Sequence, residues 1–327
     1  MKTAEKSKRF FLLGGWRFNA GPSNVNKSIV MNSDKDMGYI HSSNRIIKKL
    51  ERYKWLFYPI IIISGGVSEL EIRLLKLFRK KIIYIMHGSV WYEAKINKFE
   101  ISEKSLRVER LILTASSRIV CVSEGYSEWV KKEYPEFAYK IKFVNNGISL
   151  NQRPNKEKEQ YSIAVSGGNR LQKNNGKVCE ALEKLNKMGY DCRMYVFGRI
   201  YENNDDLLKY PFVHMVGHLN KEEYYNVLDK VSLFVVNSVL ESFGLVVADA
   251  LNCNCSLLMS KGVGALSIMS TTDNDVINDC YDVNEIASKI LYIFQNPNST
   301  ALYNSINKEE VTEKNSYIKL KQIVNEV

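Results

Sequence analysis

The densest chemistry in the 327-residue chain lies in Asn237-Ser-Val-Leu-Glu-Ser-Phe-Gly-Leu-Val-Val-Ala-Asp249. This stretch follows an apolar run, Leu233–Val236, and predicts a helix over Phe243–Leu251. Glu241 then stands at the helix start and Asp249 about two turns further on, which puts both carboxylates on one side. Carboxylates so placed suit bidentate acceptance from vicinal hydroxyls of a sugar or a ribose. The Phe243 and Gly244 amides at the helix start suit anionic or hydroxyl oxygens. The plainer alternative makes Glu241 a capping acid and Asp249 a surface residue.

Three further places could contribute. Ser166-Gly-Gly-Asn-Arg-Leu-Gln-Lys-Asn-Asn-Gly176 follows an apolar run, and its glycines permit close backbone approach while Arg170 and Lys173 supply charge for a diphosphate. It reads equally as a surface loop. The loop Gly14–Asn24 ends in Gly21-Pro22-Ser23, a good helix opening whose amides could face a phosphate or an acceptor hydroxyl. His87, one of four histidines, follows the third apolar run and could bind a sugar hydroxyl, stabilise a developing charge, or be structural. No metal site is expected. Cys253-Asn-Cys255 has poor metal spacing, and neither Asp34-Lys-Asp36 nor Asp273-Asn-Asp275 closes a strong apolar strand.

Elements of two kinds must position these residues. Short apolar runs alternate with amphipathic stretches throughout, the pattern of mostly parallel, doubly wound sheets. Strands are expected at Phe10–Leu13, Ile60–Ser64, Ile82–Met86, Ile119–Val122 and Ile141–Val144, with helices such as Glu69–Phe78 and Ser102–Ala115 between them. Asn151–Gln160 has no apolar residue, contains a proline and reads as a linker. A second series follows: strands Ser162–Val165, Arg193–Phe197, Val213–Met215, Leu233–Val236 and Ser256–Met259, with helices Lys177–Met188 and Lys221–Leu228. The expected fold is therefore α/β, with two Rossmann-like domains, 1–150 and 151–327, and a site in the cleft between the C-terminal ends of their sheets.

Composition narrows the classes. With 45% hydrophobic and 25% charged residues and only six prolines, the chain is expected to fold throughout. Six cysteines without C-x-x-C spacing fit a reducing compartment. Phe10–Gly15 is too short for a secretory segment, and Trp55–Ser64, interrupted by Pro59, is far short of a membrane span, so a cytoplasmic protein is expected. The net charge of +10 is uneven: residues 1–150 hold 27 Lys and Arg against 14 Asp and Glu, a formal +13, which leaves −3 for the rest. A basic first half suits nucleic acid, an anionic membrane, an acidic substrate or simply water. Arg45–Tyr58 mixes basic residues with Trp55, Phe57 and Tyr58, as a membrane-interface helix would, or as a helix packed on the sheet would.

The Glu241–Asp249 element resembles the E-x7-E motif of the retaining glycosyltransferases of family four, the group 1 family with the GT-B fold. Ala250-Leu-Asn-Cys-Asn254 resembles the family's E-A-L-A-C-G, Val120-Cys-Val-Ser123 its v-a-v-S, Phe143-Val-Asn-Asn-Gly-Ile148 its v-i-p-N-G-v, and Ser166–Gly176 its basic phosphate loop. Asp249 stands where the family has a second glutamate, and Asn254 where it has a glycine. The resemblance implies two Rossmann-like domains facing across a cleft: 1–150 on the acceptor side, 151–327 binding the nucleotide sugar, the last helix free to pack back on the first domain. It implies Glu241 and His87 as catalytic residues, and Glu241, Phe243 and Gly244 at the donor sugar. Arg170, Lys173, Gly21 and Leu245 would meet the diphosphate, and Asp249 the ribose. The implied activity is metal- and cofactor-independent transfer, with retention, of a hexosyl or N-acetylhexosaminyl group. The donor would be a nucleotide sugar, UDP-linked, and the acceptor a glycan or lipid-linked molecule of cell-surface polysaccharide synthesis. An anionic membrane surface is a further expected partner, and nucleic acid is not. The competing readings are a catalytically silent GT-B subunit partnering an active transferase and a DNA-modifying glucosyltransferase.

Overall fold

The computed structural model describes residues 8–17, 21–42, 44–201 and 206–327. The chain divides into two compact units. The first is Met1–Ala94, Glu100–Gly147 and Glu309–Val327, and the second is Lys95–Phe99 and Ile148–Lys308.

In the first unit β1 (Phe10–Leu13), α1 (Gly21–Met31), β2 (Met37–Tyr39), α2 (Arg45–Arg52), β3 (Ile60–Ile63), α3 (Glu69–Leu77) and β4 (Lys81–Met86) succeed one another. Next come α4 (Val90–Asn97, whose end belongs to the second unit), α5 (Glu103–Ala115), β5 (Arg118–Cys121), α6 (Glu124–Glu133) and β6 (Ile141–Phe143). All six strands are parallel, in the order β2-β1-β3-β4-β5-β6. Parallel strands covered by helices on both faces are apolar over most of their length. The four isoleucines of β3 and Phe-Phe-Leu-Leu of β1 are buried accordingly. Serine hydroxyls start three of the helices by accepting from backbone amides: Ser68 for α3, with a Glu71 capping box, Ser102 for α5 and Ser123 for α6.

The second unit runs β7 (Glu159–Ser166), α7 (Asn175–Lys187), β8 (Arg193–Phe197), β9 (Val213–Gly217), α8 (Lys221–Leu228) and β10 (Val231–Val236). It continues with α9 (Val246–Asn252), β11 (Ser256–Ser260), β12 (Val276–Ile277), α10 (Val283–Gln295) and α11 (Ser299–Ser305). Its parallel sheet has the order β12-β11-β10-β7-β8-β9, so the chain winds outward from β7 in one direction and from β10 in the other. The loops leaving β7 and β10 therefore lie side by side at the point where winding reverses, the usual ligand position in such sheets. The last helix, α12 (Glu313–Glu326), belongs to the first unit, where it buries Tyr317, Leu320, Ile323 and Val324.

Three expectations are corrected. The helix expected from Phe243 begins only at Val246, so Glu241 precedes it by five residues in an extended strip bridged to Val263. Gly244, with φ +97°, turns the chain there, and carbonyls that would open a longer helix are taken by other amides: Gly264 N–H donates to Glu241 O (2.9 Å) and Ala265 N–H to Phe243 O (2.7 Å). The linker read over Asn151–Gln160 ends earlier than expected, and its residues are fastened to the second unit. Arg153 grips the buried Asp229 with two hydrogen bonds of 2.9 Å, Gln152 donates to Asn254, and β7 already begins at Glu159. Finally, β2 and β12 were not anticipated, because edge strands of three and two residues carry no readable periodicity.

Candidate active site

In the second unit the glycine- and cation-bearing loop opens where β7 ends. Gly167 and Gly168 take left-handed φ of +88° and +61°, and a side chain at Gly168 would run into the Arg199 carbonyl. Asn175 Nδ2 ties the loop down by donating to the carbonyls of Ser166 (3.1 Å) and Gly168 (2.6 Å). The turn Leu171–Lys173 then brings two cations over one glycine: Arg170 Nη2 lies 3.2 Å and Lys173 Cγ 2.6 Å from where a Gly167 Cβ would stand.

Beside this loop runs the strip leaving β10. Val239 N–H donates to the Gln172 carbonyl (2.9 Å) and Gln172 Nε2 to the Leu240 carbonyl (2.7 Å), and this registry delivers Glu241 to Lys173. Their carboxylate and ammonium form an ion pair, with side chains only 17% and 12% exposed. Shielding strengthens the attraction between the two charges and equally raises the cost of leaving either one unpaired. Phe243 is buried, and the amides of Phe243, Gly244 and Leu245 find no acceptor among the described residues. Arg170, Lys173, Glu241, Phe243, Gly244 and Leu245 are thus adjoining parts of one construction.

Asp249 stands on α9, where Tyr225 Oη of α8 donates to its Oδ1 (2.7 Å). Burial raises the Asp249 carboxyl above the usual aspartate range, and the same carboxylate, after burial, helps raise the Tyr225 phenol. Nothing in the sequence signals the partnership: Tyr225 is one of two adjacent tyrosines on an ordinary amphipathic helix.

His87 and Gly21 belong to the first unit. His87 follows β4, and its Nε2 lies 2.8 Å from Ser64 Oγ at the end of the neighbouring β3. Ser64 in turn donates to Oδ1 of Asn26, which sits on the helix that Gly21 opens. Burial lowers the His87 pKa to about 4, so the ring is neutral at pH 7. Next to this group a cleft is lined by Gly14, Gly15, Trp16, Arg17, Ile40, Ser42 and Lys48. Ser64 and Asn26 were not singled out in the sequence, though Ser64 occupies the position just beyond an apolar strand.

Neither Asp-x-Asp triplet is free for a cation. Lys321 pairs with both Asp34 and Asp36, while Asp275 accepts from the Thr272 amide (2.7 Å) and Lys289 approaches Asp273 (3.5 Å). Among the described residues no three His, Cys, Asp or Glu side chains gather as a metal would require.

Two doubly wound sheets in one chain, with a glycine-cation loop and an acidic strip at the switch point of the second, define the GT-B class of glycosyltransferase. Residues 149–310 match the family model of the glycosyl transferases group 1, so this part of the chain is a domain of that family. No curated protein matches the sequence. Among solved structures the chain is similar to Anabaena HepE, crystallised in complex with UDP and glucose, with a TM-score of 0.69 and 14% identity over 98% of each chain. It is also similar to WaaG, a glycosyltransferase involved in lipopolysaccharide biosynthesis, with a TM-score of 0.63 and 12% identity over 96% of this chain and 99% of that one. The pneumococcal O-GlcNAc transferase GtfA, in complex with UDP and GlcNAc, gives 0.61 and 14% identity over 82% of this chain and 56% of its own.

Proposed function

We propose that the chain transfers a hexosyl or N-acetylhexosaminyl group, with retention and without a metal, from a UDP-sugar to a glycan or lipid-linked acceptor of cell-surface polysaccharide synthesis. The observation that carries this reading is the shielded Lys173–Glu241 pair beside Arg170 at the switch point of the second sheet. Arg170 and Lys173 bind the diphosphate, helped by the Leu245 amide and by the helix start at Gly21. Glu241, with the Phe243 and Gly244 amides, holds the donor sugar, Asp249 takes the ribose hydroxyls, and His87 meets the sugar. Negative charge on the leaving diphosphate grows as the glycosidic bond breaks, so preorganised cations favour the transition state over the ground state. The acceptor hydroxyl attacks the face the leaving group vacates and passes its proton to the departing phosphate. The UDP in the HepE and GtfA crystals supports uracil as the base.

A silent subunit would have no use for this set of charges, so the enzyme is the better reading. Screening nucleotide sugars for thermal stabilisation identifies the donor, because a ligand at one hundred times its dissociation constant adds about 2.7 kcal/mol. With that donor saturating, Lys173→Ala is expected to lower kcat on the order of 10²-fold, about 2.7 kcal/mol in the barrier, with activity indifferent to EDTA. Unchanged kcat would place the diphosphate elsewhere, and metal-reversible loss in EDTA would restore a metal-dependent mechanism.

A further inference from the structure

The side chain of Asn26 is held in one orientation. Its Nδ2 donates to two carbonyls, Gly15 O at 2.8 Å and Ser64 O at 3.0 Å, so the amide cannot be turned over without setting oxygen against oxygen. The Asn26 Oδ1 therefore faces Ser64 Oγ, and the only hydrogen between two oxygens is the serine's own. Ser64 spends its single proton on Asn26, which leaves its oxygen to accept from His87 Nε2, 2.8 Å away. Ser64 and Asn26 are almost completely buried, at 0% and 1% exposure, so water offers neither an alternative partner. The backbone supports the same knot. Gly14 passes so close that a Cβ there would stand 2.7 Å from Asn26 Nδ2 and closer still to the Ser64 carbonyl oxygen.

We infer that Ser64 and Asn26 are positioning residues that fix His87 as its Nε2–H tautomer, so that the ring offers an unprotonated Nδ1 as a hydrogen-bond acceptor. Nδ1 has no partner among the described residues and is not among the buried unsatisfied atoms. The group it recognises must bring a hydrogen, as a hydroxyl does; a carbonyl or carboxylate oxygen would meet lone pair with lone pair. Because burial keeps the ring neutral, the imidazolium does not provide a second donor at pH 7. His87 thus serves as a reader of hydroxyls rather than an anion-binding cation. This deepens the proposed function, on which the presence of substrate at His87 rests, but the tautomer itself does not depend on it.

Long-range ¹H–¹⁵N correlation of the imidazoles in the ligand-free full chain tests the tautomer, with His87→Asn assigning the signal among the four histidines. The expected result at pH 7 is a protonated Nε2 and a bare Nδ1; an Nδ1–H ring or a charged one overturns the inference. In Ser64→Ala the ring should become a mixture of tautomers, and Asn26→Ala should act in the same direction. An unchanged pattern in both would overturn the role given to them. Should either variant fail to fold, the wild-type spectrum still decides. In the transfer assay Ser64→Ala should lower kcat about tenfold while leaving KM for the donor within a factor of two, since only the productive tautomer serves. A mixed tautomer with unchanged kcat would remove Nδ1 from the reaction. A bare Nδ1 in a chain that binds no nucleotide sugar would instead sink the transferase reading and leave the tautomer standing.

Discussion

Single side chains in this protein are tuned by burial and one partner each, and His87 has a consequence for stability. Its folded pKa of about 4 lies below the 6.5 of an exposed histidine, so below pH 6.5 the unfolded chain takes up a proton that the folded one resists. The stabilisation is complete above pH 6.5 and lost as the pH falls toward 4, to a limit of about 3 kcal/mol at ~1.4 kcal/mol per pKa unit. Denaturant unfolding of the wild type and His87→Asn across this interval should show the wild type losing more; parallel curves would mean that the ring is solvated. Asp249 gives a second prediction at this scale. Removing the Tyr225 hydroxyl deprives its carboxylate of a 2.7 Å donor, and Tyr225→Phe should weaken UDP binding by about fivefold to tenfold, ~1 kcal/mol, as measured by calorimetry. The loss should shrink with 2′-deoxy-UDP, because the carboxylate's proposed ligand is the ribose. Equal losses for the two nucleotides would detach Asp249 from the sugar.

At the level of elements, the loop after β7 depends on backbone that only glycine adopts cheaply. Gly168→Ala must hold φ near +61° and displace the Arg199 carbonyl, and it should cost about 2–3 kcal/mol in urea unfolding together with nucleotide binding. A neutral substitution would mean that the loop has a second conformation. This loop was legible in the sequence because glycines and cations directly after an apolar strand have few other uses. The alternation of apolar runs and amphipathic helices was legible for the same reason: β1 and β3 are buried along their whole length, and β4 and β10 over most of theirs, which leaves little place for polar residues. The helix at Phe243–Leu251 was misjudged because its periodicity continues upstream into residues held by Val263, Gly264 and Ala265, partners that no local pattern reveals. The Asn26–Ser64–His87 arrangement escaped for a related reason. Its members leave three different strands and helices, and only the strand order makes them neighbours.

Over the whole molecule, charge and exposed apolar surface coincide. The first 150 residues carry the formal +13. Within them α2 and the turn Tyr53–Phe57 expose Ile46 (71%), Leu50 (68%) and Phe57 (77%), while Trp55 goes into the core. No helix among the described residues is long and apolar enough to cross a membrane. If the acceptor is lipid-linked, this surface should bind anionic vesicles at low salt and release them as salt screens the attraction. Ile46→Asp with Phe57→Asp should weaken sedimentation with such vesicles, and equal sedimentation with neutral ones would dispose of the idea. A different property follows from α12. Its Lys321 pairs with Asp34 and Asp36, its Ser316 donates to the Asn145 carbonyl (2.9 Å), and its first residue lies so close to Gly147 that any side chain there would strike the Glu313 backbone. The first unit is therefore discontinuous in the chain, with most of the second unit, Ile148–Lys308, spelled out before the Glu309–Val327 segment that completes the first. On the ribosome, the segment made later has all its strands and can fold before the segment made earlier has received its final helix. Translation thus completes the two units in the reverse of their order in the message, and a chain cut between Glu309 and Val327 would damage the half of the protein that was synthesised first.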